Sequence, residues 1–84
     1  MSRKEKLLNR LKGYPKDFSW EEATSLLKRY GCERYDNKGG SHQIFIHVDS
    51  NRKLHITRPH PINVLKKYQI ESILDFLTDL GLIE

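Results

Sequence analysis

The spacing of the apolar residues changes twice along this chain, and those two changes constrain its fold more than any other feature. Up to Gly31 the apolar side chains recur three and four residues apart, with Trp20, Ala23, Leu26, Leu27 and Tyr30 on one stripe of a helix over 20–30. Ser19 and Glu22 have capping-box spacing at its start, Glu21 and Glu22 suit the positive helix end, and Lys28, Arg29 and Gly31 close the other. After Gly31 the period drops to two. Residues 32–36 read as a first strand, 42–48 as a second whose Ile44, Ile46 and Val48 share a face, and 53–58 as a third with Leu54 and Ile56 turned inward. Residues 37–40 and the three residues 49–51 supply the turns. Pro59-His60-Pro61 then ends the sheet and stiffens the connection. The helical period returns over 69–80, where Ile70, Ile73, Leu74, Leu77 and Leu80 form a stripe that Gly81 stops.

Upstream, Ser2 and Glu5 also have capping-box spacing, ahead of Leu7, Leu8, Leu11 and a stop at Gly13, so a short basic helix precedes the break at Tyr14-Pro15. The order helix, helix, three strands, helix predicts an α+β fold in two layers. A three-stranded antiparallel sheet carries both longer helices on one face, with the short N-terminal helix added, and the other sheet face is wetter. With 84 residues, 37% of them hydrophobic, residues 1–84 are expected to form a single domain around one small core, with 1–14 as a basic extension. A deep substrate cavity is not expected.

The formal charge is +4 with a pI near 9.3, and the excess is uneven. Residues 1–16 carry Arg3, Lys4, Lys6, Arg10, Lys12 and Lys16 against Glu5 alone, while 52–67 carry Arg52, Lys53, Arg58, Lys66 and Lys67 with no acid. Such segregation points to a polyanionic partner, a nucleic acid or an acidic protein, since neutralised phosphates release their counterions. The lone Cys32 rules out an internal disulfide and suits a reducing cytoplasm. No apolar run follows the basic N-terminus, so neither a secretion signal nor a membrane span is expected.

The stretch with acid–base potential is Lys38-Gly39-Gly40-Ser41-His42. Two glycines free the backbone for close approach of a polyanion, Ser41 adds a small hydroxyl, and His42 supplies an imidazole, the side-chain type suited to proton exchange. From the residues alone this is either a phosphate-handling site or a hairpin loop ending in a half-exposed histidine. Lys66 and Lys67 stand where the last helix begins, the wrong end for its dipole, which a bound phosphate would relieve or water would solvate. The alternation of strands two and three puts His47 and His55 together on the outer face. As a metal pair they lack a third ligand, so neither metal nor cofactor is expected, and surface or RNA-facing roles fit them better. His60, between prolines, is structural or close to the site.

From Phe18 to Gly81 the sequence resembles the HicA family of toxin–antitoxin modules. The resemblance rests on Trp20-Glu21-Glu22 through Leu26-Leu27 to Gly31, on Gly40-Ser41-His42 followed by Phe45, on Pro59-His60-Pro61, and on Leu65-Lys66-Lys67 leading to Gln69-Ile70 and Ile73-Leu74. Tyr68 and Gln69 stand where many members have a small residue and a threonine, and residues 1–14 are an extension many lack. The resemblance implies a double-stranded-RNA-binding-domain-like fold over 18–81 and a ribonuclease, an mRNA interferase, with His42 as its catalytic histidine. It also implies an RNA substrate, chiefly messenger RNA, and a HicB-type antitoxin that masks the site, with the free protein a monomer and the complex a hetero-oligomer. Lys38, Gly40, Ser41, Arg58, Lys66 and Lys67 are then the residues expected to hold the phosphate backbone. Two other readings stand beside it: a non-catalytic RNA-binding module, and an interaction protein whose basic surface docks an acidic partner. A helix-turn-helix is disfavoured, because three strands separate the longer helices.

Overall fold

A computed structural model describes residues 2–35 and 42–84. Its elements run α1 (Arg3–Lys12), α2 (Trp20–Arg29), β1 (Cys32–Tyr35), β2 (His42–His47), β3 (Arg52–Thr57) and α3 (Lys67–Asp79). The sheet order is β1-β2-β3, antiparallel throughout, as the change of period predicts.

The local signals act as written in the sequence. Ser2 and Ser19 accept the Glu5 and Glu22 amides at 3.2 and 3.1 Å, and the Glu22 carboxylate accepts the Ser19 amide, so both N-terminal caps form. Gly31 ends α2 at a φ of +83°, a conformation that favours glycine. At α1 the reversal falls one residue later than expected. Gly13 keeps an ordinary φ, and Tyr14 takes the positive one.

One hydrophobic cluster unites all three helices with the inner sheet face. Leu11, Phe18, Leu26, Leu27, Ile73 and Leu77 are wholly excluded from solvent. Leu7, Leu8 and Leu11 all belong to it, so the basic N-terminal helix is part of the core. Arg10 secures it. Its guanidinium donates to the Asp17 carboxylate at 3.1 Å and to Glu22 at 3.1 and 3.3 Å, and lies 5.4 Å from the centre of the Phe18 ring. The loop before α3 runs back along the loop before α2. Trp20 donates to the Asn63 carbonyl, Leu65 to that of Phe18, and the Asn63 amide to the Glu21 carboxylate.

The register of β2 on β3 departs from expectation. A three-residue turn at 49–51, as the sequence pattern predicts, would pair Ile44 and Ile46 with the inward Leu54 and Ile56. Instead the loop is four residues long: His47 faces Arg52, and the Asn51 amide donates to the His47 carbonyl at 2.7 Å with Asn51 at a φ of +61°. One extra residue exchanges the faces of the whole strand. Phe45 now opposes Leu54 and Gln43 opposes Ile56, so Phe45 and His47 turn inward while His42, Ile44 and Ile46 turn outward. Phe45 is thereby buried beside Trp20, ring centres 5.8 Å apart. Val48 lies in the loop and is exposed.

Leu11→Ala is expected to cost about 2–5 kcal/mol, as for other fully buried leucines, and to lower the Tm by about 4–8 °C per kcal/mol in thermal melts. Hydrogen bonds from Arg10 hold the Glu22 carboxyl below the ordinary value of 4.5, against the opposing effect of its own burial. A carboxyl depressed on folding stabilises above that value, and the gain is lost as pH falls through the folded-state pKa. Glu22→Gln is therefore expected to melt lower than wild type at pH 7. Melts repeated down the acid range should bring the two proteins together.

Candidate active site

The corrected register decides which histidines meet. His42 pairs with Thr57 and His55 with Ile44, so the two rings are diagonal neighbours on the outer face of adjacent strands. There His42 Nε2 lies 3.2 Å from His55 Nδ1, with ring centres 5.4 Å apart and planes tilted by 42°. Both side chains are exposed. The helices and the apolar cluster occupy the opposite side of the sheet, so the outer face, with His42, Ile44, Ile46, Lys53 and His55, carries no layer from the described residues.

The sequence alternation predicts His47 beside His55 on this face. It stands on the inner one instead, 8% exposed, with Nδ1 2.7 Å from the Ser50 hydroxyl, which also accepts the Arg52 amide. Its ring also lies close to Gly31, whose carbonyl accepts the Val48 amide. His47 is thus a fastener of the β2–β3 loop. No three His, Cys, Asp or Glu side chains among the described residues converge as a metal site would require.

Gln69 ties the His42 end of the sheet to α3. It is 3% exposed; Nε2 donates to the Thr57 carbonyl at 2.6 Å, and Oε1 accepts the Lys66 amide at 2.9 Å. Thr57 is the residue opposite His42, so one amide side chain joins the end of β3 to the first turn of α3. Arg58, Lys66 and Lys67 follow from these two ends, and all three are exposed. Unlike α1 and α2, α3 has no acceptor side chain at its N-cap and no acid in its first turn, and only Gln69 reaches back to the Lys66 amide. Lys67 also approaches the Tyr14 ring, at 5.7 Å.

Lys38, Gly40 and Ser41 fall in residues 36–41, outside the described residues. His60 is exposed in the connector between β3 and α3. A groove of about 850 Å³ between α2 and β1, edged by Lys28, Arg29 and Arg34 over a floor of Cys32 and Phe45, adds a basic surface that the sequence reading did not single out. Burial pushes the Cys32 thiol up, so it remains protonated and is no nucleophile. Reading the sequence missed Gln69 and the partnership of His55 with His42. The signal for the histidine partnership was the length of the β2–β3 loop.

With this geometry in view, a family model described as the HicA toxin of bacterial toxin–antitoxin systems matches residues 20–82, three quarters of the chain. The chain belongs to the HicA toxin family. It is the toxin of a toxin–antitoxin system, and an antitoxin is accordingly its partner. No curated protein and no solved structure matches the chain significantly. The family match opens at Trp20, the first residue of α2, so it contains the histidine pair and Gln69 but not α1. In this HicA protein α1 nevertheless supplies three leucines to the shared core. Among the described residues no helix is long and apolar enough to cross a membrane.

Gln69→Leu would leave the Thr57 carbonyl and the Lys66 amide without their partner. It is expected to cost about 1–3 kcal/mol, the usual penalty for a buried polar group left unpaired, read as a lower denaturation midpoint in urea at unchanged m.

Proposed function

We propose that this HicA toxin is a metal-independent RNA endonuclease that cleaves messenger RNA in the cytoplasm, with His42 as its general acid or base, and that a HicB-type antitoxin silences it by covering the same surface. The observation that carries the reading is an exposed imidazole on a sheet face that carries no layer from the described residues, anchored through Thr57 and Gln69 to a basic helix start.

RNA brings its own nucleophile, so a small protein without a deep cavity is sufficient. The enzyme must draw the proton from a 2′-hydroxyl, align its oxygen with the scissile phosphorus and stabilise charge on the phosphate. In this reading His42 exchanges the proton. Arg58, Lys66 and Lys67 hold the phosphate backbone, helped by Lys38 and by the amides of Gly40 and Ser41. The first turn of α3, with no acid and no acceptor side chain at its N-cap, suits an anion, because the helix dipole favours negative charge there. A buried free thiol at Cys32 agrees with a reducing compartment.

His42→Ala is expected to lower RNA cleavage by about 10²–10⁴-fold, the usual share of one acid–base group, with the Tm and RNA affinity retained. Cleavage of a defined transcript by purified wild type and variant, in excess chelator, reads this directly. Equal cleavage by the two proteins refutes the role of His42. RNA binding in gel shifts without cleavage by wild type would leave a non-catalytic RNA-binding module. Lys66→Gln and Lys67→Gln are each expected to weaken binding similarly across RNA sequences and to reduce the slope of log affinity against log salt by about 0.7.

A further inference from the structure

We infer that His55 is a second catalytic residue, and that His42 and His55 act as an acid–base couple at one phosphodiester. This rests on the nuclease reading and adds a residue that the Gly-Ser-His sequence does not indicate.

The contact itself limits the protonation of the pair. Nitrogens 3.2 Å apart form a hydrogen bond only when one carries a proton and the other presents its lone pair, so the bonded pair holds at most one imidazolium. One neutral and one charged ring is the combination that in-line cleavage of RNA requires. The neutral ring takes the proton of the 2′-hydroxyl as its oxygen forms a bond to phosphorus. The P–O5′ bond breaks, and the charged ring delivers its proton to the departing 5′-oxygen. Products are a 2′,3′-cyclic phosphate and a free 5′-hydroxyl, with no water consumed and no co-reactant needed. After the step the rings have exchanged states, and their direct contact offers the proton a path back once product has left.

Three features support the couple. Both rings are exposed, so a phosphate can come between them by side-chain rotation alone. They project from adjacent hydrogen-bonded strands, which fixes the distance between their backbones. The face beneath them carries no layer from the described residues. The other titratable groups on this face are Lys53, two residues before His55 on β3, and Tyr35 and Glu33 across the sheet on β1. Lys53 supplies a cation beside the couple without competing for its proton.

The test is the pH dependence of kcat/KM for a short RNA with a single cleavable linkage, measured for wild type, His42→Ala, His55→Ala and His55→Gln, with melting curves as the control for folding. Wild type is expected to give a bell. Each alanine variant should fall about 10²–10⁴-fold and keep one limb, and the limbs kept by the two variants should be opposite. A matching substrate with sulfur in place of the scissile 5′-oxygen, which leaves without protonation, should restore the variant lacking the acid and not the other. If His55→Ala and His55→Gln cleave at the wild-type rate, or fall in rate with the bell unchanged, His55 is not catalytic and His42 acts alone. If wild type does not cleave, the nuclease reading fails and the couple with it; if His42→Ala cleaves as well as wild type, the couple fails while the nuclease activity stands.

Discussion

The pairing of β2 with β3 across a four-residue loop is the constraint on which the rest of this structure depends. Partners in an antiparallel ladder have residue numbers that sum to a constant, here 99, the sum of 47 and 52. Leu54 and Ile56 are buried, so Phe45 and Gln43 must face inward, and His42, Ile44 and Ile46 must face outward. A loop one residue shorter would reverse every one of these assignments. It would bury the isoleucines, lift Phe45 from its place beside Trp20, and set His47 instead of His42 on the face of His55. The loop is held by the Asn51 amide on the His47 carbonyl, by a positive φ at Asn51, and by Ser50 between His47 and Arg52.

The inner face and the helices then position what the outer face presents. Gln69 spans the layers, fixing the Thr57 carbonyl and the Lys66 amide from within the core, so the start of α3 cannot move independently of the strand end opposite His42. On the far side, Arg10 binds α1 to the start of α2 through Asp17 and Glu22. A chain of this size has little core to spare, and the leucines of α1 enlarge it. Arg58, Lys66 and Lys67 are left exposed on the surface and take no part in that core.

Much of this was legible in the sequence. The change of period at Gly31, its return after Pro59-His60-Pro61 and the two serine caps define the order and kind of all six elements, because each signal is local and acts through backbone geometry. The residues of the Gly-Ser-His stretch mark His42 in the same local way. The face of β2 was not legible, since both of its alternating sets carry bulky apolar residues: Ile44 and Ile46 on one, Phe45 on the other. Only the loop length separates them, and residues 48–51 do not declare whether Val48 ends the strand or begins the turn. His55 became a candidate only once that register was known. Gln69 was hidden for a different reason: a glutamine in a first helical turn looks solvated until the strand end it reaches has been placed.

Whether RNA meets this protein on the outer sheet face is the claim beneath the functional reading, and a complex with an uncleavable RNA bearing one 2′-deoxy residue at the scissile step tests it most directly. The expected structure has the scissile phosphate between the His42 and His55 rings, with the strand running toward the start of α3. RNA seated on the α2–β1 groove, with both imidazoles turned away from every phosphate, would contradict it.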